Sequence, residues 1–314
     1  MKTLIVPTIR QKNLGQFLDA WKPLQHWDKV IVVEDNPEKT FSLNEPYIHY
    51  CWKDIEETLK EESWIISRRD SAIRSFGFLM AYKLGTEFFY TLDDDCLPFS
   101  NPQTFVDKHL ESIQKTTKWV ESIPNMRTRG LPYRNLGSNN NVVLNMGLWS
   151  NVADLDAIQT LSQTNTEYFK PPLISHIMPY GQYFPICGMN LCFTREFAPL
   201  SYFPLMGLNS PYRRFDDIWF GIIAKKICDY MGMTFKVGTP FVNHSRASDP
   251  FINLTKEAPG IAFNEIFWEI IDRIELKGKN PKECLKQIGD SLITSQNEYL
   301  FKLGSALQIW CNYF

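Results

Sequence analysis

Three consecutive aspartates, Asp93-Asp94-Asp95, follow directly on the apolar segment 87–92, which is predicted to be a buried strand. Adjacent carboxylates repel one another, so the fold must place them where solvent, a cation or cationic side chains offset their charge. Ligands of α/β sheets bind beyond the carboxyl ends of the strands, where this turn would lie. The triplet therefore predicts a ligand site; the plainer alternative is a solvated acidic turn or a helix cap.

Strands and helices alternate along the first third of the chain. Segments 3–6 and 29–33 are typical of buried strands, and a helix is predicted between them at 14–21. Asp70-Ser71 can cap a second helix, which Gly85 would end. Its apolar residues lie three or four positions apart and are Ile73, Phe76, Met80 and Leu84. This alternation predicts an α/β fold with a mainly parallel sheet flanked by helices.

The rest of the chain is less regular until its final third. Residues 101–180 are rich in Asn, Gly and Pro and are predicted to form long loops. A helix at 216–230 and a strand at 234–237 should follow, and the chain from 264 onward is predicted to be helical. We therefore expect a catalytic sheet domain at 1–263, with residues 264–314 as a helical extension packed on it.

Composition excludes several classes of function. The chain has 314 residues and a formal net charge of −2, so no overall positive field favours nucleic acid. It contains neither the G-x-G-x-x-G fingerprint of dinucleotide-binding folds nor a phosphate-binding P-loop. A nucleic-acid partner and a dinucleotide cofactor are therefore not expected.

The cysteines and the apolar segments bear on localisation. Seven cysteines are scattered without the spacing of a disulfide framework or a zinc site, which indicates reduced thiols and a cytoplasmic protein. The N-terminus resembles a strand rather than a signal peptide. No apolar run reaches the roughly 20 residues of a membrane span, so none is predicted.

A basic segment precedes the acidic turn. Arg68, Arg69 and Arg74 surround the predicted helix start at Asp70, and both arginine side chains and helix N-termini bind phosphate oxygens. The alternative is a capped helix that carries surface arginines.

The acidic turn also suits a hard divalent cation. Mn²⁺ or Mg²⁺ takes oxygen ligands from one or two carboxylates together with a diphosphate, and Asp93 and Asp95 are the predicted ligands. His244 follows a predicted strand and would complete the site, although a lone histidine there is more often a hydrogen-bonded structural residue.

Asp216 and Asp217 open a predicted helix. One of them is expected to be its N-cap, and the other could hold an acceptor hydroxyl or act as a general base.

With these residues in view, the sequence resembles the reversibly glycosylated polypeptide family, the plant-type UDP-arabinopyranose mutases. The resemblance lies in an ordered series of segments over roughly residues 1–270. The matching segments are 5–10, 32–35, 70–77, 92–96, 147–149, 154–157, 187–190, 214–219 and 244–254.

The resemblance implies a GT-A-like fold, a UDP-sugar substrate, Mn²⁺ or Mg²⁺ at the triple aspartate and a cytosolic protein that can associate with itself or with other family members. It also implies a set of nucleotide-sugar-binding positions. These are Pro7, Thr8, Arg10, Asp35, Arg69, Asp70, Arg74, Asp93 and Asn190. The candidate catalytic residues are Asp94, Arg134, Asp216 and Asp217.

One segment departs from the family pattern. Family members carry a self-glycosylated arginine between an Arg-Gly pair and the Gly147-Leu-Trp string, but here the expected Leu-Arg-Glu is missing and the spacing is one residue longer. Arg134 is the nearest candidate for this residue.

Three functions remain open from the sequence. The preferred one is a mutase that interconverts the pyranose and furanose forms of a UDP-pentose of the arabinose type. The second is a metal-dependent glycosyltransferase with a separate acceptor, and the third is a non-catalytic subunit that binds UDP-sugar.

Overall fold

The computed structural model describes residues 1–114, 117–119, 129–137, 141–162, 175–208, 210–245 and 249–314. The strands are β1 (Lys2–Thr8), β2 (Lys29–Glu34), β3 (Ile48–Tyr50), β4 (Phe88–Leu92), β5 (Cys96–Pro98), β6 (Val142–Asn151), β7 (Ser175–Ile177), β8 (Asn190–Thr194) and β9 (Thr234–His244). The α-helices are α1 (Gln11–Trp21), α2 (Trp52–Leu59), α3 (Arg74–Lys83), α4 (Pro102–Gln114), α5 (Ala157–Ser162), α6 (Asp216–Met231), α7 (Pro250–Asp272), α8 (Pro281–Leu292) and α9 (Glu298–Cys311).

The strands form one mixed sheet in the order β3-β2-β1-β4-β8-β6-β9-β5, and β7 pairs with β9. Parallel pairing joins β3, β2, β1 and β4, and it also joins the two longest strands, β6 and β9. Strand β8 is antiparallel to both of its neighbours, β4 and β6. The predicted α/β fold, with a mixed and mainly parallel sheet flanked by helices, is confirmed.

The parallel strands β1 and β2 are buried along nearly their whole length, as their continuous apolar sequences predict. On one face of the sheet, a cluster around Trp21, Trp27 and Phe105 packs under α1 and α4. The other face carries a larger core, to which α3, α6, α7, α8 and α9 contribute. Both faces of these parallel strands are covered. The polar side chains therefore lie in the loops at the carboxyl ends of the strands.

The prediction of long loops over residues 101–180 is wrong for much of that segment. It contains α4 and the ten-residue strand β6. The polar Asn145 interrupts the apolar sequence of β6, yet it is fully buried because its amide nitrogen donates to the His109 ring at 2.8 Å and to the Thr239 carbonyl at 3.0 Å. These buried hydrogen bonds make a polar residue compatible with a central strand in a segment that was predicted to be a loop.

The C-terminal helices share the main core. The Trp219 and Phe267 rings stack at 4.6 Å, and Trp310 donates its indole N–H to the Pro199 carbonyl at 2.9 Å. Helix α7 begins at Pro250, with Asp249 as its N-cap, so the expected boundary between 263 and 264 falls inside this helix. The division into a catalytic domain and an extension stays a prediction.

Among the described residues, no helix is both long and apolar enough to cross a membrane.

Gly260 allows α7 to pack closely against Phe215 at the start of α6. A methyl group at this position would lie 2.5 Å from two ring atoms of Phe215. We expect Gly260→Ala to destabilise the protein by about 1–2 kcal/mol, because overpacking outweighs the gain in helix propensity. The free energy of unfolding in urea measures the effect.

Gly15→Ala in α1 is the matched control, since no atom lies within 4 Å of its added methyl group. This variant should be stabilised by roughly 0.5–1 kcal/mol. Equal effects of the two substitutions would contradict close packing at Gly260.

Candidate functional site

The site is built where β1, β2 and β4 end side by side. Thr8 ends β1, Asp35 follows β2, and the three aspartates follow β4. The Asp35 amide donates to the Thr8 carbonyl at 2.8 Å, which holds the first two strand ends together. The sheet therefore brings together residues that are far apart in the sequence.

Asp94 is turned toward the end of β1. It is 3% exposed, accepts a hydrogen bond from the Thr8 hydroxyl at 2.6 Å and forms an ion pair with Arg10. Burial raises the pKa of Asp94, whereas the Thr8 hydrogen bond and the Arg10 charge lower it. These are the contacts of a residue that fixes the acidic turn to β1. The catalytic role expected for Asp94 stays a prediction.

Arg74 is buried at the centre of the site. All three of its side-chain nitrogens donate: Nε to the Ser71 carbonyl at 3.1 Å, Nη1 to the Gly188 carbonyl at 2.5 Å and to the Thr91 hydroxyl at 3.2 Å, and Nη2 to Asp93 at 2.5 Å. Burial lowers its pKa, but the carboxylates of Asp93 and Asp216 outweigh that effect and raise it. Arg74 therefore stays charged and holds α3, β4 and the loop before β8 in one arrangement.

The carboxylate of Asp35 accepts hydrogen bonds from the basic segment 68–74 and from a neighbouring indole. Its carboxylate accepts from the backbone amides of Arg69 at 3.0 Å and Asp70 at 2.9 Å and from the Trp52 indole at 2.7 Å. The guanidinium of Arg69 stacks over the Trp52 ring at 5.1 Å, and Arg69 has a positive φ of 60°. Asp70 caps the 3-10 turn that leads into α3, as predicted.

Asp216 and Asp217 do not cap α6. Phe215 occupies the N-cap position, and both carboxylates lie in the first turn. Asp216 accepts from the Ser71 hydroxyl at 2.7 Å and Asp217 from the Gly188 amide at 2.8 Å. The expectation that one of them is the N-cap is therefore wrong, because tertiary partners rather than the end of the helix hold these side chains.

The surroundings raise the pKa of both of these carboxyl groups. Burial raises the pKa of Asp216, and the nearby Arg74 charge opposes this effect. Burial, together with the charge of Asp216, raises the pKa of Asp217 well above its ordinary value. A carboxyl group with a raised pKa keeps its proton to a higher pH than an ordinary aspartate, which favours a role as a general acid or base.

These groups open onto a cavity of 770 Å³, a volume typical of sites for small-molecule ligands. Helix α7 contributes Glu257, Ile261 and Trp268 to the cavity lining. The charged side chains that line the cavity are Arg74, Asp93, Asp95, Asp154, Asp156, Arg214, Asp216, Asp217, Glu257 and Glu265, and His244 also lines it.

Asp95 and His244 are neighbours within this cavity. Strand pairing places His244 opposite Cys96, and its Nδ1 lies 2.9 Å from the Val152 carbonyl oxygen. A carbonyl only accepts, so Nδ1 carries a proton, and Nε2 of the neutral ring is the nitrogen with a lone pair for a metal ion. Burial and the Asp93 charge raise the pKa of Asp95 to about 6.

The donors suit a cation that a ligand helps to bind. Within the described parts of the chain, no group of three or more His, Cys, Asp and Glu side chains is placed to hold a metal ion by itself. Asp93, Asp95 and the Nε2 atom of His244 nevertheless face one cavity with excess negative charge. Hard cations held by one or two carboxylates take their remaining ligands from phosphate oxygens and water, so these residues fit such an ion.

Several expected site residues lie outside the cavity lining. These residues lie at or near the neighbouring strand ends and are Pro7, Thr8, Arg10, Asp35, Arg69 and Asp70. The contacts of all of them except Pro7 are described above. Their predicted contacts with a nucleotide sugar stay predictions.

Asn190 and Arg134 are placed differently from these. Asn190 is fully buried, donates to the Leu148 and Pro240 carbonyls at 3.1 and 3.0 Å and pairs with the His109 ring, so it joins β6, β8 and β9. Arg134 is exposed and does not line the cavity. The structure thus does not bring either residue to the site with the aspartates.

Asp154, Cys187, Arg214 and Glu257 are among the cavity residues that were not assigned from the sequence. Cys187 donates its thiol to Asp154 at 2.9 Å, and Arg214 pairs with Glu257 at 2.7 Å. Asp154, Cys187 and Arg214 lie in segments that carried the family resemblance, which was the signal available for them. Glu257 had none, because only the path of α7 brings it to the site.

The titration of Asp95 leads to a prediction. Its folded pKa of about 6 exceeds the ordinary value of 3.8, so the folded state binds the proton more tightly and loses stability as pH rises through this window. Asp95→Asn removes that cost. Without divalent cations, we expect it to raise the free energy of unfolding at pH 7.5 by roughly 1–3 kcal/mol, with the gain fading by pH 4.

Thermal unfolding in EDTA at both pH values measures the effect, and Asp19→Asn, an exposed substitution on α1, is the control. A gain that does not depend on pH would contradict a charged Asp95 as the source of the instability.

Comparisons with known proteins cover nearly the whole chain. The reversibly glycosylated polypeptide family matches residues 2–314. A protein from Solanum tuberosum named as a probable UDP-arabinopyranose mutase 1 is 34% identical over 98% of this chain and 88% of its own length. UDP-arabinopyranose mutase 1 of Arabidopsis thaliana is 32% identical over 98% of this chain and 90% of its own length.

Among solved structures, mannosyl-3-phosphoglycerate synthase from Rubrobacter xylanophilus is similar at 11% identity, with a TM-score of 0.47 over 89% of this chain and 77% of that one. That likeness is too weak to carry an argument about the site. The match over residues 2–314 and the identities above 30% along nearly the whole chain are decisive: the chain belongs to the reversibly glycosylated polypeptide family.

Proposed function

We propose that this protein interconverts the pyranose and furanose forms of a UDP-pentose of the arabinose type, with Mn²⁺ or Mg²⁺ bound at Asp93, Asp95 and His244. One observation carries the proposal. In a member of a family whose relatives are named UDP-arabinopyranose mutases, two aspartates of the acidic turn face a 770 Å³ cavity together with Asp216 and Asp217.

The reaction requires three things of the site. The bond between the anomeric carbon and the diphosphate must break, the freed sugar must close its ring through a different hydroxyl, and UDP must remain bound to take the sugar back. A divalent cation at Asp93 and Asp95 would supply the positive charge that stabilises UDP as a leaving group.

The residues of the chain itself provide the remaining functions. Arg74 is held by four hydrogen bonds and keeps Asp93 directed into the cavity. Asp216 and Asp217 offer an anionic surface to a sugar that develops positive charge at its anomeric carbon. The raised pKa of Asp217 also allows it to exchange a proton with a sugar hydroxyl as the ring opens and closes.

Helix α7 would shield these groups from water in part. Its Trp268 and Ile261 form part of the cavity wall. Shielding matters because a sugar released from its diphosphate reacts with water, which would convert an isomerase into a hydrolase.

The position of Arg134 favours a second candidate. Because this arginine is exposed and does not line the cavity, its self-glycosylation finds no support in the fold, and the same site could instead pass the sugar to a separate acceptor. A cytoplasmic location and association with itself or with other family members are further parts of the proposal.

Incubation with UDP-arabinopyranose tests the proposal. Purified protein with Mn²⁺ should produce the furanose form without net release of UDP, as measured by chromatography and NMR of the sugar nucleotides. UDP that accumulates only when an acceptor is added would favour the transferase. Binding of UDP-sugar without either product would leave a non-catalytic subunit.

The metal sites give a separate prediction. Asp93→Asn and Asp95→Asn should each lower kcat by about 100-fold or more, because each removes a carboxylate from the proposed cation. Paramagnetic resonance of Mn²⁺ should show binding to the wild-type protein that tightens when UDP is present and weakens in both variants.

Asp19→Asn serves as the control and should convert substrate normally. Equal turnover by the wild-type protein in EDTA and in Mn²⁺ would rule out the metal part of the proposal while leaving the mutase part to the product analysis.

A further inference from the structure

Arg214 differs from Arg74 and Arg10 in the number of its side-chain nitrogens that bind protein groups. Arg74 uses all three of its side-chain nitrogens on protein partners, and Arg10 is paired with Asp94 and Asp95. Arg214 donates through Nε to Glu257 at 2.7 Å, and its two Nη groups make no hydrogen bond to the described residues. Arg214 lines the cavity, where its Nη groups can still bind an anion.

The backbone at Arg214 is held in a costly conformation. Its φ of 64° lies in the left-handed region, which residues with a side chain seldom occupy. Such conformations persist only where surrounding contacts enforce them, and they cluster at ligand sites. The Arg214 side chain reaches α7, where its Nε donates to Glu257.

Glu257 is the partner that fixes the arginine. It is 3% exposed, and its second oxygen accepts from the Ala157 amide at 2.7 Å, so the carboxylate joins α7, the start of α5 and Arg214. Because a buried carboxylate needs a cation or hydrogen-bond donors, Glu257 and Arg214 depend on each other. The pairing uses Nε and leaves both Nη groups without a hydrogen bond to the described residues.

Charge defines what these Nη groups would bind. Eight of the cavity-lining side chains named above are carboxylates, and Asp154 and Asp217 are among those close enough to raise the pKa of Arg214, although burial lowers it. These carboxylates would repel a diphosphate that enters the cavity unless a positive charge offsets theirs. A guanidinium with two free Nη groups can bind a phosphate through two parallel hydrogen bonds.

We propose that Arg214, positioned by Glu257, binds the diphosphate of the UDP-sugar from the α7 side of the cavity. This inference rests on the proposed function, since it names the group that holds UDP while the sugar changes its ring. Arg214 is the binding residue and Glu257 a positioning residue.

Calorimetric titration with three probes tests the assignment: UDP, uridine and inorganic pyrophosphate. In Arg214→Gln, we expect the Kd for UDP and for pyrophosphate to rise by roughly 10- to 100-fold, the effect of losing charge-assisted hydrogen bonds. The Kd for uridine, which carries no phosphate, should change less than about twofold. Arg213→Gln removes the exposed neighbouring arginine and should leave all three constants unchanged.

The positioning role of Glu257 needs its own variants. Glu257→Gln keeps an acceptor for the Ala157 amide but loses the charge that orients Arg214, so UDP should bind roughly 3- to 10-fold more weakly. Glu257→Asp, which keeps the charge, should recover part of that loss, and Glu269→Gln on the exposed side of α7 should have no effect. Weaker binding in Glu257→Gln without any recovery in Glu257→Asp would contradict positioning through charge.

Folding is controlled separately. The double variant Arg214→Gln, Glu257→Gln leaves no unpaired buried charge, so it should unfold at a temperature close to that of the wild-type protein and still bind UDP as weakly as Arg214→Gln. Unchanged pyrophosphate and UDP affinity in this folded double variant would overturn the assignment of Arg214.

The probes also separate this inference from the proposed function. If the wild-type protein binds pyrophosphate through Arg214 but neither binds nor converts UDP-sugar, the mutase proposal fails and the anion site stands. If mutase activity is found but the pyrophosphate affinity of Arg214→Gln is unchanged, the assignment of Arg214 fails alone.

Discussion

The arrangement of the site depends on one buried cation, the guanidinium of Arg74. It lies 1% exposed between Asp93, Thr91 and the Gly188 carbonyl, and its charge offsets the carboxylates that the strand ends bring together. Without a fixed cation, Asp93, Asp216 and Asp217 could not approach one another at the floor of one cavity. Arg74 is also the first residue of α3, so the helix and the site are fixed by the same contacts.

Paired charges continue outward from this centre in two directions. Toward β1, Arg10 compensates Asp94 and Asp95; toward α7, Arg214 compensates Glu257. These pairs differ in what they leave available. The pair of Arg10 and Asp94 fixes the acidic turn to β1, whereas Arg214 keeps both Nη groups without a hydrogen bond to the described residues. Burial and the Asp93 charge raise the pKa of Asp95, although Arg10 opposes this effect. A site that completes its charge balance only with a ligand suits a reaction in which the ligand must be held after its bond has broken.

The prediction of the fold from sequence was most accurate where local pattern and tertiary role coincide. Buried parallel strands are continuous apolar runs, so β1, β2 and β4 were identified, as were the helices α1, α3 and α6. Strand β6 was missed because Asn145 is polar and only its buried hydrogen bonds to His109 and Thr239 make it compatible with a central strand. Helix α7 was placed too late in the chain, although Asp249 and Pro250 form an ordinary helix start.

The sequence by itself determined the acidic turn, the basic segment before α3, the α/β class and the resemblance to the family, because each is written in residues that are adjacent along the chain. The tertiary structure alone decided which of those residues share a cavity. It turned Asp94 toward Arg10, buried Asn190 within the sheet, left Arg134 exposed and brought Glu257 from α7 to Arg214. The physical reason is that ion pairing and burial depend on distances in space. Glu257 lies 43 residues from Arg214 in the sequence, so no local sequence pattern predicts their ion pair.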